Sequence, residues 1–184
     1  QIDRLADVVR ERLPSGMLHA LVNNAGISPK GPNRSRLGVA DSTADVWTQV
    51  LNVNLVSTAL LARALLPQLE AARGSIVNVT SIAGSRVHPF AGVAYAASKA
   101  GLAALTREMA HEFGKRGVRA NAIAPGEIET SILSTGTEAL VAAEVPMCRL
   151  REPREVAETI YFLCTEQSSY INGAEIHING GQHV

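Results

Sequence analysis

The sequence predicts an α/β domain built on a doubly wound parallel sheet, and three observations lead there. Apolar runs recur at residues 18–22, 75–80 and 118–123, with a last one after Ile171. Each is short and rich in aliphatic residues on both faces, as buried parallel strands are. Segments of helical periodicity separate them, which argues for parallel crossovers with helices on both faces of the sheet. No repeat, low-complexity stretch or linker divides the chain, so its 184 residues are expected to form a single unit over 1–184.

The chain opens in an amphipathic helix, with Ile2, Leu5, Val8, Val9 and Leu13 on one face and Pro14-Ser15-Gly16 as its stop. The first strand runs into Asn23-Asn24-Ala25-Gly26. Residues 28–40, with Pro29, Gly31, Pro32 and Gly38, read as a loop long enough to border a site. Asp41-Ser42-Thr43 offers an N-cap to a helix carrying Val46, Trp47, Val50 and Leu51. That helix continues through Leu55, Ala59, Ala62, Leu66 and Leu69, with Pro67 expected to bend it or mark its last turns.

Ser81 follows the second strand, at the strand end where open α/β sheets place their sites. A helix over about 94–113 then carries Tyr95, Lys99, Leu102, Met109 and Phe113 along one face. Ala97, Ala100, Gly101 and Ala104 form a small-residue surface beside it, suited either to tight packing on its own sheet or to contact with another subunit. After the third strand, 131–144 is a flexible-looking stretch with Gly136 and Thr137. Glu152-Pro153 starts a helix that ends near Cys164, and 171–181 turns into the final strand.

Tyr95-Ala96-Ala97-Ser98-Lys99 puts a phenol and an ammonium one helical turn apart, on the same face. An ordinary phenol pKa near about 10 is some three units too high for acid/base work at neutral pH, a handicap of about 4 kcal/mol. A lysine cation one turn away favours phenolate and reduces it. A hydroxyl from Ser81 could hold a carbonyl or carbinol oxygen beside the phenol. Together these residues can move a proton on or off an alcohol while another group takes a hydride.

N-N-A-G at 23–26, V-N-L at 53–55, I-V-N-V-T-S at 76–81, Y-A-A-S-K at 95–99 and N-A-I-A-P-G at 121–126 stand in a fixed order. In order and spacing they resemble the motifs of the classical short-chain dehydrogenase/reductase family. The resemblance reaches from the first helix to Asn179-Gly180-Gly181. It implies a Rossmann-like sheet of order 3-2-1-4-5-6-7. It also implies an oxidoreductase that uses NAD or NADP on a small-molecule alcohol or carbonyl substrate, 3-oxoacyl reductase-like or related.

Residue by residue, the resemblance makes Tyr95 the catalytic acid/base and Lys99 the lysine that lowers its pKa and contacts the nicotinamide ribose. Ser81 matches the substrate-oxygen donor, and Asn54 the asparagine that supports a proton-relay water. Asn24, Ala25 and Gly26 match the turn bordering the cofactor. Pro125, Gly126, Ile128 and Thr130 match the segment that meets the nicotinamide carboxamide. Family members commonly form homodimers or homotetramers, here expected through the helices around 48–70 and 94–113.

A nucleotide-binding α/β domain should open with a strand and a glycine-rich phosphate loop. This chain shows none, since Gly114-Lys115-Arg116-Gly117 follows a helix. By the resemblance, the first three strands and two helices are missing, about 70–80 residues at roughly 30 per βαβ unit. The chain therefore reads as a truncated C-terminal two-thirds, with impaired cofactor binding and the strand at 18–23 left as an apolar edge. A non-catalytic remnant, serving at most as an oligomerisation module, stands beside the enzyme reading. A ligand-binding module without chemistry is disfavoured because Asn54, Ser81, Tyr95 and Lys99 are all present.

Hydrophobic residues make up 46% and aromatics 4%, which points to an aliphatic, alanine-rich core. Lys+Arg and Asp+Glu are both 17, and no basic stripe interleaves with aromatics, so a nucleic-acid partner is not expected. The charges at 33–36 and Lys115-Arg116 read as solvated loops. Cys148 and Cys164 form no C-x-x-C pair, which argues against zinc or a disulfide framework and suits reduced thiols in the cytoplasm. His19, His88, His111, His177 and His183 lack metal-ligand spacing. His88 could line the substrate site, though a place on the loop surface is the plainer expectation. Glu127 and Glu129 stand near the site entrance, either to select a polar or cationic substrate or simply to face water. No apolar run reaches the roughly 18 residues of a membrane span, so no membrane partner is expected. No signal-peptide pattern is visible.

Overall fold

In the computed structural model, which describes residues 1–129 and 136–184, four strands pair in parallel. They are β1 (Ala20–Asn23), β2 (Ser75–Val79), β3 (Arg119–Pro125) and β4 (Glu175–Ile178), adjacent in space in that same order. Ala20 lies opposite Ser75, Ser75 opposite Arg119, and Ala122 opposite Glu175. Since all strands run one way, their C-terminal ends gather at one rim, and the site forms there. The helices are α1 (Ile2–Glu11), α2 (Ala44–Leu51), α3 (Ser57–Ala72), α4 (Val93–Gly114), α5 (Thr137–Glu144) and α6 (Pro153–Cys164).

The side-chain alternation of the strands divides the core into two layers. Ile76 and Ala120 pack on Ala62, Leu66 and Leu69 of α3 and on Met109, Ala110 and Phe113 of α4. Val77, Ile123 and Ile178 face the other way, onto Val156 and Leu163 of α6. Asparagines are buried in this apolar sheet because each is satisfied. Asn78 donates to Thr106 Oγ1 at 2.9 Å and accepts from Asn23 at 2.8 Å, and Asn121 donates to the Ile171 carbonyl at 2.8 Å.

Several sequence expectations are modified. The helix starting after the Thr43 cap, whose side chain accepts from Val46 N–H at 3.3 Å, is not uniform. Between α2 and α3 it widens into a π-helical stretch, Asn52–Val56. Pro67 lies inside α3, which runs on to Ala72 and closes on Arg73 in the left-handed conformation. The whole stretch Ala44–Ala72 has 29 residues and is apolar enough, by length and composition, to cross a membrane. That corrects the expectation of no such segment: Asn52, Asn54 and Arg63 interrupt the apolar run without lowering its average enough. In this fold Ala62, Leu65, Leu66 and Leu69 of that helix belong to the core.

The first helix also differs. Only Ala6 of α1 is buried, while Leu5 is 48% and Val8 38% exposed. α1 rests on α3, with the Arg10 guanidinium donating to the Ala64 carbonyl at 3.0 Å. β1 is the sheet edge, with Val22 41% exposed. The stretch expected to be flexible is helical over Thr137–Glu144, and residues 130–135, with the candidate Thr130, lie outside the described residues.

Candidate active site

The rim holds a cavity of about 440 Å³ whose walls come from three strand-to-helix connections and the start of α4. Tyr95 and Lys99 stand on the first turns of α4, one above the other as their spacing requires. Ser81 follows β2 and leads into a short turn, Ile82–Gly84, that presses on α4. The approach is close enough that a Cβ on Gly84 would lie 2.8 Å from the Ala100 nitrogen. This contact sets the Ser81 hydroxyl in the same cavity wall as the Tyr95 phenol, where it pulls the phenol pKa down. Ser81 Oγ also accepts from Ala83 N–H at 3.2 Å, which leaves its proton for the phenol side.

Lys99 is 3% exposed and donates to the Val79 carbonyl at 2.6 Å, with its ammonium 5.6 Å from the Tyr95 ring centroid. Burial lowers its pKa to about 8. The Tyr95 phenol, expected to fall below its ordinary value, stands above it. Burial is the largest cause, the Glu127 carboxylate adds to it, and the Ser81 hydroxyl opposes it. Lys99 does not overturn that balance, since its own charge is desolvated and aimed at the Val79 carbonyl.

Asn54, 1% exposed, lies in the π-helical stretch behind the cavity. Its Oδ1 accepts from Ile27 N–H at 2.8 Å, and its Nδ2 donates to the Ile27 carbonyl and to Ser98 Oγ, both at 3.0 Å. Both amide protons are thus committed to bracing the β1 loop against α4. Asn24 and Gly26 line the cavity, whereas Ala25 is not among its walls. A Cβ at Gly26 would lie 3.5 Å from Lys99 Nζ, so the backbone there passes close to that ammonium. Pro125, Gly126 and Ile128 form the wall after β3. Gly126 is pressed by the C-terminal turn, where a Cβ would lie 2.7 Å from Asn179 Cβ.

The structure adds residues that the motifs did not single out. Lys30 and Phe90 line the cavity, and Lys30 donates to the Phe90 carbonyl. Burial and the nearby Arg34 pull the Lys30 pKa down, against an upward pull from Glu127. His88, placed on the loop surface by the plainer expectation, instead lines the cavity and meets Glu127, with Nε2 2.5 Å from Oε1. Phe90 N–H donates to His88 Nδ1 at 3.3 Å. Glu129 faces solvent. The sequence signal for this pair was proximity to motif residues: His88 between Ser81 and Tyr95, and Glu127 next to Pro125-Gly126. Among the described residues, no group of three or more His, Cys, Asp or Glu could hold a metal ion.

Comparison with known proteins bears on this geometry. A family model described as enoyl-(acyl carrier protein) reductase matches residues 1–183. A crystal structure from Brucella ovis, an oxidoreductase of the short chain dehydrogenase/reductase family in complex with a partially ordered NAD, superposes with a TM-score of 0.82. It is 56% identical and covers 97% of this chain and 73% of its own. The chain belongs to the short-chain dehydrogenase/reductase family. Protein FixR of Bradyrhizobium diazoefficiens is 56% identical over 183 residues, all of this chain and 66% of that protein. The 3-oxoacyl-[acyl-carrier-protein] reductase FabG of Aquifex aeolicus is 41% identical over 169 residues, 88% of this chain and 64% of its own length. The chain thus spans about two thirds of these short-chain dehydrogenase/reductase relatives. Its four parallel strands with flanking helices make it Rossmann-like.

Proposed function

We propose that the protein containing this chain is an NAD(P)-dependent oxidoreductase that transfers hydride between a nicotinamide and the carbon of an alcohol or ketone, 3-oxoacyl reductase-like or related. One observation carries the reading: a serine hydroxyl beside a half-buried tyrosine phenol, with a buried lysine near the ring, in one cavity at the strand ends. The donor set fits a nicotinamide riboside. Among the described residues Lys99 Nζ bonds only to Val79 O, which leaves N–H donors for a ribose hydroxyl. Gly26 and Gly126 line the same cavity.

A bound reduced nicotinamide supplies the hydride. Ser81 donates a hydrogen bond to the substrate carbonyl oxygen, Tyr95 gives that oxygen its proton, and Lys99 stabilises the phenolate left behind. The alcohol direction is the reverse. Asn54 acts here by fixing the loop and helix that flank the cofactor, and Asn24, Ala25, Ile128 and Thr130 are assigned to the cofactor side. Assembly as a homodimer or homotetramer through α3 and α4, and a cytoplasmic location, belong to the same reading.

The test is Tyr95→Phe in the full-length protein, assayed with a 3-oxoacyl thioester and reduced nicotinamide. Loss of an acid/base group lowers turnover by about 10²–10⁴-fold while cofactor affinity holds. Unchanged turnover would refute the assignment. A second reading, a non-catalytic oligomerisation module, draws on the absence of a G-x-G-x-x-G sequence in these residues. Weak cofactor binding by the chain on its own favours it, and tight binding removes it.

A further inference from the structure

Lys30 is the cation of the cavity that the chemistry above leaves without a role. It lines the same cavity as Ser81 and Tyr95, and it is half-buried. Its ammonium donates to the Phe90 carbonyl, and further N–H donors remain for a ligand. Among the described residues it forms no ion pair. A cation drawn out of water is ordinarily paired. Burial and the Arg34 cation both work against the Lys30 charge, and the Glu127 carboxylate, which forms its ion pair with His88, favours it. The cavity wall carries two lysines, Lys30 and Lys99, against one carboxylate, Glu127. Lys99 is turned to the Val79 carbonyl, so the unmatched charge lies at Lys30.

The surrounding loop holds this ammonium in place. Val93 N–H donates to the Leu37 carbonyl at 3.0 Å, and Arg36 Nε donates to the Ala91 carbonyl at 2.8 Å. Between Lys30 and Arg36 the turn is closed by Gly31 N–H on the Ser35 carbonyl at 3.0 Å. The loop after β1 is thereby strapped to the segment that leads into Tyr95. Arg34 and Arg36, both exposed on this loop, add positive field at the mouth. Ile27, Ile82, Phe90, Ala91 and Ile128 supply apolar wall. The space therefore suits a compact apolar body with an anion at one end and an oxygen at the other.

We infer that Lys30 selects the substrate: it binds the carboxylate of a compact oxo acid, or of the corresponding hydroxy acid, whose reacting carbon lies beside Ser81 and Tyr95. This rests on the oxidoreductase reading given above and adds the substrate's charge to it. Phosphate offers a similar oxygen anion, and the carrier arm of an acyl thioester brings one. That phosphate is a whole pantetheine arm away from the thioester, whereas Lys30 and Tyr95 share one cavity of about 440 Å³ that must also receive the nicotinamide. A carboxylate on the substrate itself suits that space better.

The test sets charge against shape. The full-length protein is assayed with reduced nicotinamide and straight-chain oxo acids of graded length, each beside its methyl ester. Wild type prefers the acid in kcat/KM by about ten- to a hundredfold at the best length, the range of a hydrogen bond to a charged group. Lys30→Met brings the acid-to-ester ratio close to one, and Lys30→Arg, which keeps a cation, restores most of it. A ratio near one in wild type, or one unaltered by Lys30→Met, overturns the inference. So does a Lys30 effect confined to coenzyme A thioesters, which would assign the lysine to the carrier phosphate. Binding is read without chemistry by carbon-13 NMR on lysine labelled at Cε, with Lys30→Met assigning the Lys30 signal. Pentanoate shifts that signal saturably, pentanamide does not, and the exposed Lys115 stays in place as internal reference. No response of Lys30 to pentanoate overturns the inference. A saturable response in a protein that reduces neither acid nor ester supports the anion site and removes the oxidoreductase reading instead.

Discussion

Asn54 and Ser98 are joined by a buried 3.0 Å hydrogen bond that ties the π-helical stretch to the helix carrying Tyr95. Ser98 Oγ in turn donates to the Tyr95 carbonyl at 2.7 Å, so the asparagine reaches the backbone of the candidate acid through one intermediary. Asn54→Ala leaves Ile27 N–H and its carbonyl without their side-chain partner and removes the donor to Ser98 Oγ. It is expected to destabilise the fold by about 1–3 kcal/mol, lowering the melting temperature by about 3–10 °C. Calorimetry on variant and wild type checks this, and matching melting temperatures would contradict it.

Lys99 makes stability depend on pH in a calculable direction. Its pKa is about 8 in the fold against 10.5 ordinarily. Between those values the unfolded chain holds more protons than the folded one, so stability rises as pH goes from about 8 to 10.5. Below pH 8 both states carry the charge and burial of the ammonium counts in full. Lys99→Met removes this slope. Wild type should therefore gain on the order of 3 kcal/mol relative to the variant between pH 7 and pH 10.5. Urea melts at the two pH values measure the difference, and a constant gap would refute the buried-ammonium account.

Gly84 is placed by contact rather than by conformation. An added Cβ would meet the Ala100 nitrogen at 2.8 Å and the Lys99 carbonyl carbon at 2.9 Å, both backbone atoms of a helix that cannot yield locally. Gly84→Ala is expected to lose about 1–3 kcal/mol and to push Ser81 away from Tyr95. A chemical-denaturation midpoint equal to wild type would show that the turn has room.

Assembly through α4 is testable at one residue. Ala97, Ala100 and Ala104 are exposed along the helix, whereas Gly101 is covered by Leu55 of the same chain. The small-residue surface therefore divides into an inner position and an outer row. Light scattering on wild type is expected to show a dimer or tetramer, and Ala104→Arg to dissociate it. A wild-type monomer, or an unchanged oligomer in the variant, counts against this surface.

Isothermal titration of NAD and NADP into the 184-residue chain tests how much of the cofactor site these residues supply. The expected affinity is far below that of a full-length relative, because no glycine-rich phosphate loop lies in this sequence. Micromolar binding would overturn that expectation.

What was legible in the sequence followed local periodicity. Tyr95 and Lys99 had to share a face once α4 formed, and the apolar runs had to become adjacent strands. The Thr43 cap was readable for the same reason. The His88–Glu127 contact was not, because it joins residues 39 apart in sequence through two loops whose paths depend on the whole sheet. Nor was the widened turn at Asn52–Val56, where one uninterrupted helical pattern conceals a change of hydrogen-bond register. The α1 pattern was correct as periodicity, yet it said nothing about whether a neighbour covers Leu5 and Val8.

The three walls of the cavity come from separate connections, after β1, after β2 and after β3, while Tyr95 and Lys99 stand on a helix anchored to the sheet. Recognition and chemistry therefore reside on parts that can diverge independently. Exchange of the segment bearing Lys30, or of the one bearing His88 and Phe90, would re-dress the cavity mouth without moving Tyr95. A scaffold arranged in this way acquires a new substrate by editing its loops, and its reaction persists through the change.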